Sequence, residues 1–294
     1  MMKNQTYIRL LKPLLLGLLF MTESKAQTTL QVVTKSIEKT FTATNIIVVE
    51  AEKADIELIT WEKAEVQTKI ELTAKHPDRN TAKNDLEMMK YVANKMADKI
   101  LLRNYLVVPA GTQKPNANFK AKYVIHLPEN LKVTIQNSFG KILVQGKYSQ
   151  LNIKSEFCIL DLQRAEGNIK LETYYGEVHS KNFNGVTTIK SERSELFFQQ
   201  LSGVNTINAQ YGKIEIESVA NLKMLTINAK KTEISMKVPL YNHGFNLESK
   251  YGKMSLPDGF NWLQNTNNSK AATYNLSAIS RINIQNSFGN ISIN

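Results

Sequence analysis

The stretch 131–146, LKVTIQNSFGKILVQG, holds one unit of a pattern that recurs to the end of the chain. Later units are IKLETYYGEVHS (169–180) and INAQYGKIEIES (207–218). Apolar residues alternate with polar ones up to an anchor position, a small residue stands two positions before the anchor, and apolar residues return three and five positions after it. The alternation predicts strands with one buried face. The repetition of the unit indicates a stacked repeat protein.

The units follow one another at an interval of about 18 residues, later twice of about 20 and once of about 37. Their anchors are Phe139, Phe157, Tyr175, Arg193, Tyr211, Lys231, Tyr251 and Phe288. A coil of about 18 residues has room for two or three short strands, since a strand rises about 3.3 Å per residue. Glycine follows the anchor mainly in alternate units, so a double coil of about 36 residues is an alternative.

The alternation slips by one residue after each anchor. Because such a slip would turn a straight strand inside out, the chain must bend there. We place Tyr175 on the inward face with Ile169 and Leu171. We expect the glycines after the anchors, such as Gly176 and Gly212, to hold the positive φ of the bend. The sequence therefore predicts an all-β fold, a single-stranded β-solenoid (β-helix) of about 18–20-residue rungs.

The N-terminal part is expected to form a strand-rich cap on this solenoid. Residues 47–58 fit the repeat template and are expected to form its first rung. Apolar residues then recur at helical spacing: Leu86, Met89, Ala93, Met96 and Ile100. They predict one inserted amphipathic helix over about 79–100. The predicted division is a cap region over 27–120 and a repeat array over 121–294.

The C-terminal end of the array should present an apolar cross-section with unpaired backbone groups. The chain stops at Asn294, soon after Ile291 and Ile293, and the stretch 258–275 departs from the repeat template. An uncovered solenoid end would pair with other chains. We expect either that 258–275 folds over this end or that a second copy covers it, and we favour the internal cover.

Residues 1–26 predict a secretory signal peptide. A basic start is followed by an apolar run over 14–21 and by a small-residue cleavage motif at 24–26. The run is too short to span a bilayer. We therefore expect an exported protein of the periplasm or the cell surface, with no transmembrane segment after removal of the signal.

Composition gives little sign of a charged partner or of thiol chemistry. The net charge of +11 falls to +8 without residues 1–26, which hold four Lys or Arg and one Glu. Basic residues are scattered beside acids, as at Lys213 and Glu215, which is typical of a solvated face. We therefore expect no nucleic-acid partner. The single cysteine, Cys158, excludes an internal disulfide, and without a local activating neighbour it is expected to be a packed thiol.

The sequence shows no pattern of a catalytic, cofactor-binding or metal-binding site. His179 and His243 lack metal-ligand spacing, and the acids of the array occur singly. Glu177, Glu195 and Glu215 fall near matching corner positions and could line up in space. We expect no enzyme activity, no cofactor and no metal.

The quoted units resemble the DUF4097 family of adhesin-like β-strand repeat proteins. The resemblance extends to IIVVEAEKADIELITWEKAEVQTKIEL (46–72) and YVIHLPENLKVTI (123–135), and it covers most of 40–294. It implies an envelope-associated, single-stranded β-solenoid. The shared motifs are aromatic–glycine corners between alternating strands, so the resemblance implies no substrate.

These features predict an exported, non-enzymatic, adhesin-like or scaffold solenoid of the cell envelope that binds a glycan or a surface protein. Three outward aromatic residues are candidates for stacking on sugars: Tyr148, Tyr174 and Phe197. The alternative is a carbohydrate-active β-helix enzyme, a polysaccharide lyase or hydrolase. Its acids would have to cluster on neighbouring coils.

Overall fold

The structure, a computed structural model, describes residues 29–42 and 44–294. The predicted signal peptide lies outside the described residues. The N-terminal elements are β1 (Gln31–Thr42), β2 (Ile46–Glu52), β3 (Ala54–Trp61), β4 (Glu65–His76), α1 (Arg79–Leu86), β5 (Met89–Met96), β6 (Lys99–Leu106) and β7 (Asn118–Pro128). The remaining strands are β8 (Lys132–Tyr174), β9 (Glu177–Lys181), β10 (Asn184–Glu192), β11 (Glu195–Phe198), β12 (Leu201–Gln210), β13 (Lys213–Ile216), β14 (Val219–Lys230), β15 (Glu233–Met236), β16 (His243–Lys250), β17 (Met254–Ser255), β18 (Asn261–Asn265), β19 (Ser269–Tyr274), β20 (Ser280–Ser287) and β21 (Ile291–Ile293). A 3₁₀ turn spans Leu240–Asn242.

The chain is an all-β solenoid with two main walls that meet at the anchor corner. The first wall is ordered β5–β6–β2–β8–β10–β12–β14–β20–β16–β19–β18. The second wall is ordered β1–β4–β7–β3–β8–β9–β11–β13–β15–β21–β17. Strand β8 winds through more than two coils and contributes to both walls.

The coil is one repeat unit long and not two, because Ile189 pairs in parallel with Leu171 on one side and with Ile207 on the other. These three side chains are buried and belong to one continuous core that runs the length of the stack. The predicted interior column of small residues also lies inside. Thr173, for example, is fully buried just before the corner.

The anchors confirm the bend but not its expected details. All of them adopt a left-handed backbone, with φ from 49° at Arg193 to 64° at Phe139. The inward placement of Tyr175 was wrong, since its side chain is 42% exposed. A left-handed residue rotates its side chain out of the alternation and into solvent. Among the glycines after the anchors only Gly140 has a positive φ, of 152°. Gly176 and Gly212 do not, so for them that expectation was wrong as well.

Glycine follows the anchor because successive coils approach closely there. A Cβ at Gly176 would collide with the carbonyl oxygen of Cys158, well inside the 3.0 Å that real Cβ atoms do not cross. In intervening coils this position keeps a buried side chain, such as that of Ser194. The Ser194 Oγ accepts a hydrogen bond from the Gly176 amide at 3.1 Å. The alternation between glycine and a larger residue after the anchor therefore reflects two kinds of corner rather than a double coil.

The structure contains a second column of glycines, which was not predicted although its members recur at the same interval as the anchors. Gly167, Gly185 and Gly203 have φ of 129°, 143° and 80°. A Cβ at Gly185 would collide with the carbonyl oxygen of Gly167, and one at Gly203 with that of Gly185. These residues combine positive φ with close stacking at another corner of the coil.

The predicted helix over 79–100 was wrong beyond Leu86. Strands β5 and β6 form an antiparallel hairpin there, with a left-handed Ala97 (φ 52°) in the turn. Met89 and Ala93 are buried on one face of β5, whereas Met96 is exposed. Their helical spacing was coincidental. Pairing of β6 with β2 adds a strand to the first wall, and this pairing outweighs the helical preference that the local spacing suggested. Helix α1 packs against β1 and β4.

The C-terminal strands lie inside the stack and not at its end. Strand β20 pairs with β14 on one side and with β16 on the other, and β21 lies likewise between β15 and β17. The spatial order of the last anchors is therefore Lys231, Phe288, Tyr251. The hairpin β18–β19, from the stretch expected to form a cover, pairs beyond β16. The hairpin therefore covers the rung that contains β16 and not the C-terminal rung that contains β20. The division at 120/121 stays a prediction.

We expect that Gly176→Ala and Gly176→Asn both lower the free energy of unfolding, by about 1–3 kcal/mol, because either Cβ overpacks the corner. Asparagine tolerates a left-handed backbone better than alanine does. If backbone strain were the only effect, the asparagine variant would therefore keep a free energy of unfolding close to that of the wild type. Urea denaturation measures both. Gly111→Ala is the control for φ, since Gly111 has φ 77° and open space around it. Wild-type stability of Gly176→Asn would contradict the close approach.

Candidate functional site

The outer face of the first wall is polar along two columns. One column consists of Thr134, Asn152, Lys170, Thr188, Thr206, Thr226, Asn283 and Asn246. The other consists of Gln136, Lys154, Glu172, Lys190, Asn208, Asn228, Gln285 and Glu248. We call these two columns the polar face. Lateral pairing spaces their members about 4.8 Å apart, and the Asn228 amide donates to Asn208 Oδ1 at 3.2 Å.

The exposed anchors form a ladder along the corner. In spatial order the corner ladder is Lys53, Phe139, Phe157, Tyr175, Arg193, Tyr211, Lys231, Phe288 and Tyr251. Ring centroids lie 4.9 Å apart for Phe139 and Phe157 and 5.1 Å apart for Phe157 and Tyr175. The Arg193 guanidinium lies between two rings, 5.3 Å from Tyr175 and 5.6 Å from Tyr211. The ladder thus combines ring stacking with cation–π contacts.

The ladder explains how non-glycine residues are held in a left-handed backbone. Each such residue costs on the order of 1–3 kcal/mol, while each ring pair or exposed cation–π contact returns about 0.5–1 kcal/mol. Phe157, Tyr175 and Tyr211 each have a ring or a cation on both faces, so mainly their edges meet solvent. These three rungs of the ladder therefore stabilise the corner and offer no free ring face to a sugar.

The second wall carries a shallow depression on its outer face, lined by Asp161, His179, Phe197 and Glu215. These residues pair laterally on consecutive coils. The His179 ring stacks on Phe197 with centroids 5.0 Å apart. The Lys213 ammonium lies 5.4 Å from the Phe197 ring centroid and 2.7 Å from Glu215 Oε2. The side chains of His179, Phe197 and Glu215 on the floor of the depression are thus already engaged in contacts within the protein.

The acids expected to line up do so only in part. Glu177 and Glu195 pair in register, whereas Glu215 pairs with Phe197, two residues further along the wall. Glu177 Oε2 lies 3.0 Å from His179 Nε2. Across the depression, Asp161 and Glu215 are three strand spacings apart, roughly 14 Å. A glycosidase needs its two carboxyl groups about 5–9.5 Å apart on either side of the sugar.

The candidate aromatic residues also differ from expectation. Tyr148 is buried, so its outward placement was wrong; its hydroxyl donates to the Gln145 carbonyl at 3.0 Å, and burial raises the pKa of that hydroxyl. Tyr174 is half-buried with the Lys190 ammonium 5.8 Å from its ring centroid. Phe197 is half-buried beneath His179 and Lys213. Tyr148 and Phe197 therefore present no free ring face.

Cys158 is a packed thiol at a corner. It is 2% exposed, and burial raises its pKa above the usual value. A raised pKa leaves less thiolate at neutral pH, which makes the group inert. Within residues 29–42 and 44–294, no three His, Cys, Asp or Glu side chains converge to hold a metal ion. The helices in that part of the chain are too short or too polar to cross a bilayer.

The chain belongs to the DUF4097 family, described as Toastrack DUF4097, which matches residues 44–294. The family resemblance drawn from the repeat units is thereby confirmed. No curated protein matches the chain.

Several solved structures are similar to the chain at low sequence identity. One, titled "putative adhesin" and from Parabacteroides distasonis, is 13% identical with a TM-score of 0.42, over 90% of this chain and 96% of that chain. Another from the same organism, described as a "Putative lipid binding protein", is 13% identical with a TM-score of 0.41, over 89% and 96% of the two chains. A "putative cell adhesion protein" from Clostridium sporogenes is 14% identical with a TM-score of 0.27, over 89% and 99%.

We expect Arg193→Ala to lower the free energy of unfolding by about 1–2 kcal/mol, because two cation–π contacts are lost. The hydrogen bond from Arg193 Nη1 to the Tyr175 hydroxyl, 2.6 Å long, is lost as well. Arg164→Ala is the matched control, since Arg164 is exposed at a left-handed corner (φ 51°) outside the ladder. Thermal melts compare the two. Equal losses of stability would show that the ladder contacts add nothing.

Proposed function

We propose that this protein is an exported, non-enzymatic, adhesin-like binding module of the cell envelope that holds a glycan or a surface protein against its polar face. The observation that carries the proposal is the uninterrupted polarity of that face over successive rungs. Hydroxyl, amide and ammonium groups together donate and accept hydrogen bonds. A repeating ligand can meet the same kind of group at every strand spacing.

Rigidity of the face favours binding. The outward side chains stand on strands held on both sides by parallel partners, as Lys190 and Asn208 do in β10 and β12. Their positions are set before the ligand arrives, which reduces the entropy lost on binding. Among the two occupants, a glycan suits the polar face better, because sugar hydroxyls match its amide and hydroxyl groups. The apolar residues of the same outer wall form a separate column beside it, made of Val186, Val204 and Met224. Export is supported by the signal sequence predicted at 1–26.

A carbohydrate-active enzyme is the second candidate, and one observation favours it. Glu177 and Glu195 are in register on neighbouring coils, about one strand spacing of 4.8 Å apart. Both side chains are exposed and stand side by side on the same outer face, where they line an open depression. A glycosidase places its carboxyl groups on opposite sides of a bound sugar in a cleft. We rank the enzyme second for this reason.

The test measures binding and cleavage in one series. We expect the protein to bind immobilised polysaccharides from a panel of neutral and acidic polymers without releasing new reducing or unsaturated ends. Asn208→Ala/Asn228→Ala should weaken binding severalfold, because it removes adjacent amides from the polar face. Biolayer interferometry measures the binding, and a reducing-end assay with absorbance of unsaturated products measures cleavage.

Lys181→Ala/Gln199→Ala on the outer face of the second wall is the matched control. Equal binding by the two double variants would contradict the polar face as the site. Release of new chain ends that Glu177→Gln abolishes would establish the enzyme instead.

A further inference from the structure

The last rungs gather four lysines around one exposed corner. Ser287 of β20 pairs with Lys230 of β14 on one side and with Lys250 of β16 on the other. Lys231 occupies the anchor position after Lys230, and Lys253 follows β16 in the same turn of the coil as Lys250. We call Lys230, Lys231, Lys250 and Lys253 the basic corner. They come together only because the C-terminal strand is inserted between the two rungs that carry them.

The charge of the basic corner is not neutralised within the molecule. All four lysines are exposed, and the ion pairs of the described residues include none of them. Two acids share these rungs. Glu248 Oε2 accepts from the Gln285 amide at 3.4 Å, and Glu233 Oε1 accepts from the Asn290 backbone amide at 3.4 Å. The local excess of positive charge attracts anions.

The charges run along the solenoid axis. Lys230 and Lys250 stand in one column two strand spacings apart, roughly 10 Å. Lys231 stands beside Lys230 and directs its ammonium over Tyr211, 5.1 Å from the ring centroid. A linear polymer lying along the corner would meet these ammonium groups one after another.

Tyr251 supplies an apolar surface next to the lysines. It is the terminal ring of the corner ladder and contacts Phe288 with ring centroids 5.0 Å apart. At 59% it is the most exposed ring of the ladder. Within the described residues its other face has no ring or cation partner, unlike the faces of Phe157, Tyr175 and Tyr211. A ring face at the end of the ladder can be covered by a sugar.

We propose that the basic corner binds an acidic polysaccharide, with carboxylate or sulfate groups paired to the lysines and a sugar ring stacked on Tyr251. The proposal rests on the proposed function in that it treats the chain as a glycan-binding module. It adds the charge class of the ligand and a contact line beside the polar face. Lysine suits this role because an ammonium group pairs with an anion from any direction and does not demand one geometry.

The experiment uses the chain without residues 1–26 and polygalacturonate as the anionic probe, with neutral dextran for comparison. We expect Lys230→Glu/Lys250→Glu to weaken binding of polygalacturonate by about tenfold or more, which corresponds to about 1.4 kcal/mol. Tyr251→Ala should weaken it as well, and added salt should weaken wild-type binding. Lys83→Glu/Lys90→Glu is the control with the same change in charge, since both lysines are exposed in the N-terminal cap.

Phosphatidylglycerol vesicles and a single-stranded oligonucleotide test the other anionic partners. Equal polygalacturonate binding by the two charge-reversal variants would overturn the proposal, as would tighter binding to vesicles or to the oligonucleotide. If Asn208→Ala/Asn228→Ala still weakened glycan binding in that case, the proposed function would stand without the basic corner. If the wild-type protein bound no polysaccharide, both the basic corner and the glycan form of the proposed function would fail.

Discussion

Successive coils meet backbone to backbone at the anchor corner, and this close approach sets the register of the whole stack. The carbonyl of Cys158 lies where a Cβ of Gly176 would be, and the carbonyl of Ser194 stands in the same relation to Gly212. Such an approach leaves only one lateral alignment for the strands on either side. The core columns, the polar face and the corner ladder all follow from that alignment. The left-handed anchors are its cost, which the stacked side chains of the ladder offset.

Much of the fold could be predicted from the sequence, because period-two alternation and a constant interval between units are consequences of stacked strands. The prediction failed where local signals compete with pairing. Met89 and Ala93 match a helix as well as a strand, and only the pairing of β6 with β2 decides between them. The prediction for the anchor corner failed for another reason. An aromatic residue followed by glycine suggests that glycine holds the positive φ, but stacking with neighbouring coils transfers that role to the aromatic residue.

The candidate sites depend on spatial order, which the sequence does not state. If the repeat units stacked in chain order, Lys231 and Tyr251 would be neighbours. Insertion of β20 places Phe288 between them and brings Ser287 between two lysines. The outward polar columns could be predicted from the alternation, whereas Tyr148 could not, because its burial depends on a corner outside the template. The columns define the hydroxyl, amide and charged groups that the proposed ligand would meet.

Disulfide trapping tests the lateral register most directly. In a Cys158→Ser background, Lys230→Cys/Ser287→Cys places two thiols on adjacent strands, with Cα atoms about 4.8 Å apart, within reach of a disulfide. Lys230→Cys/Lys250→Cys places them two strands apart, roughly 10 Å, which is too far. We expect mild oxidation to close the first pair and to leave both thiols of the second pair free in the monomer, as counted by mass spectrometry after alkylation. A disulfide in the second pair and none in the first would show that the rungs stack in chain order and would contradict the inserted C-terminal strand.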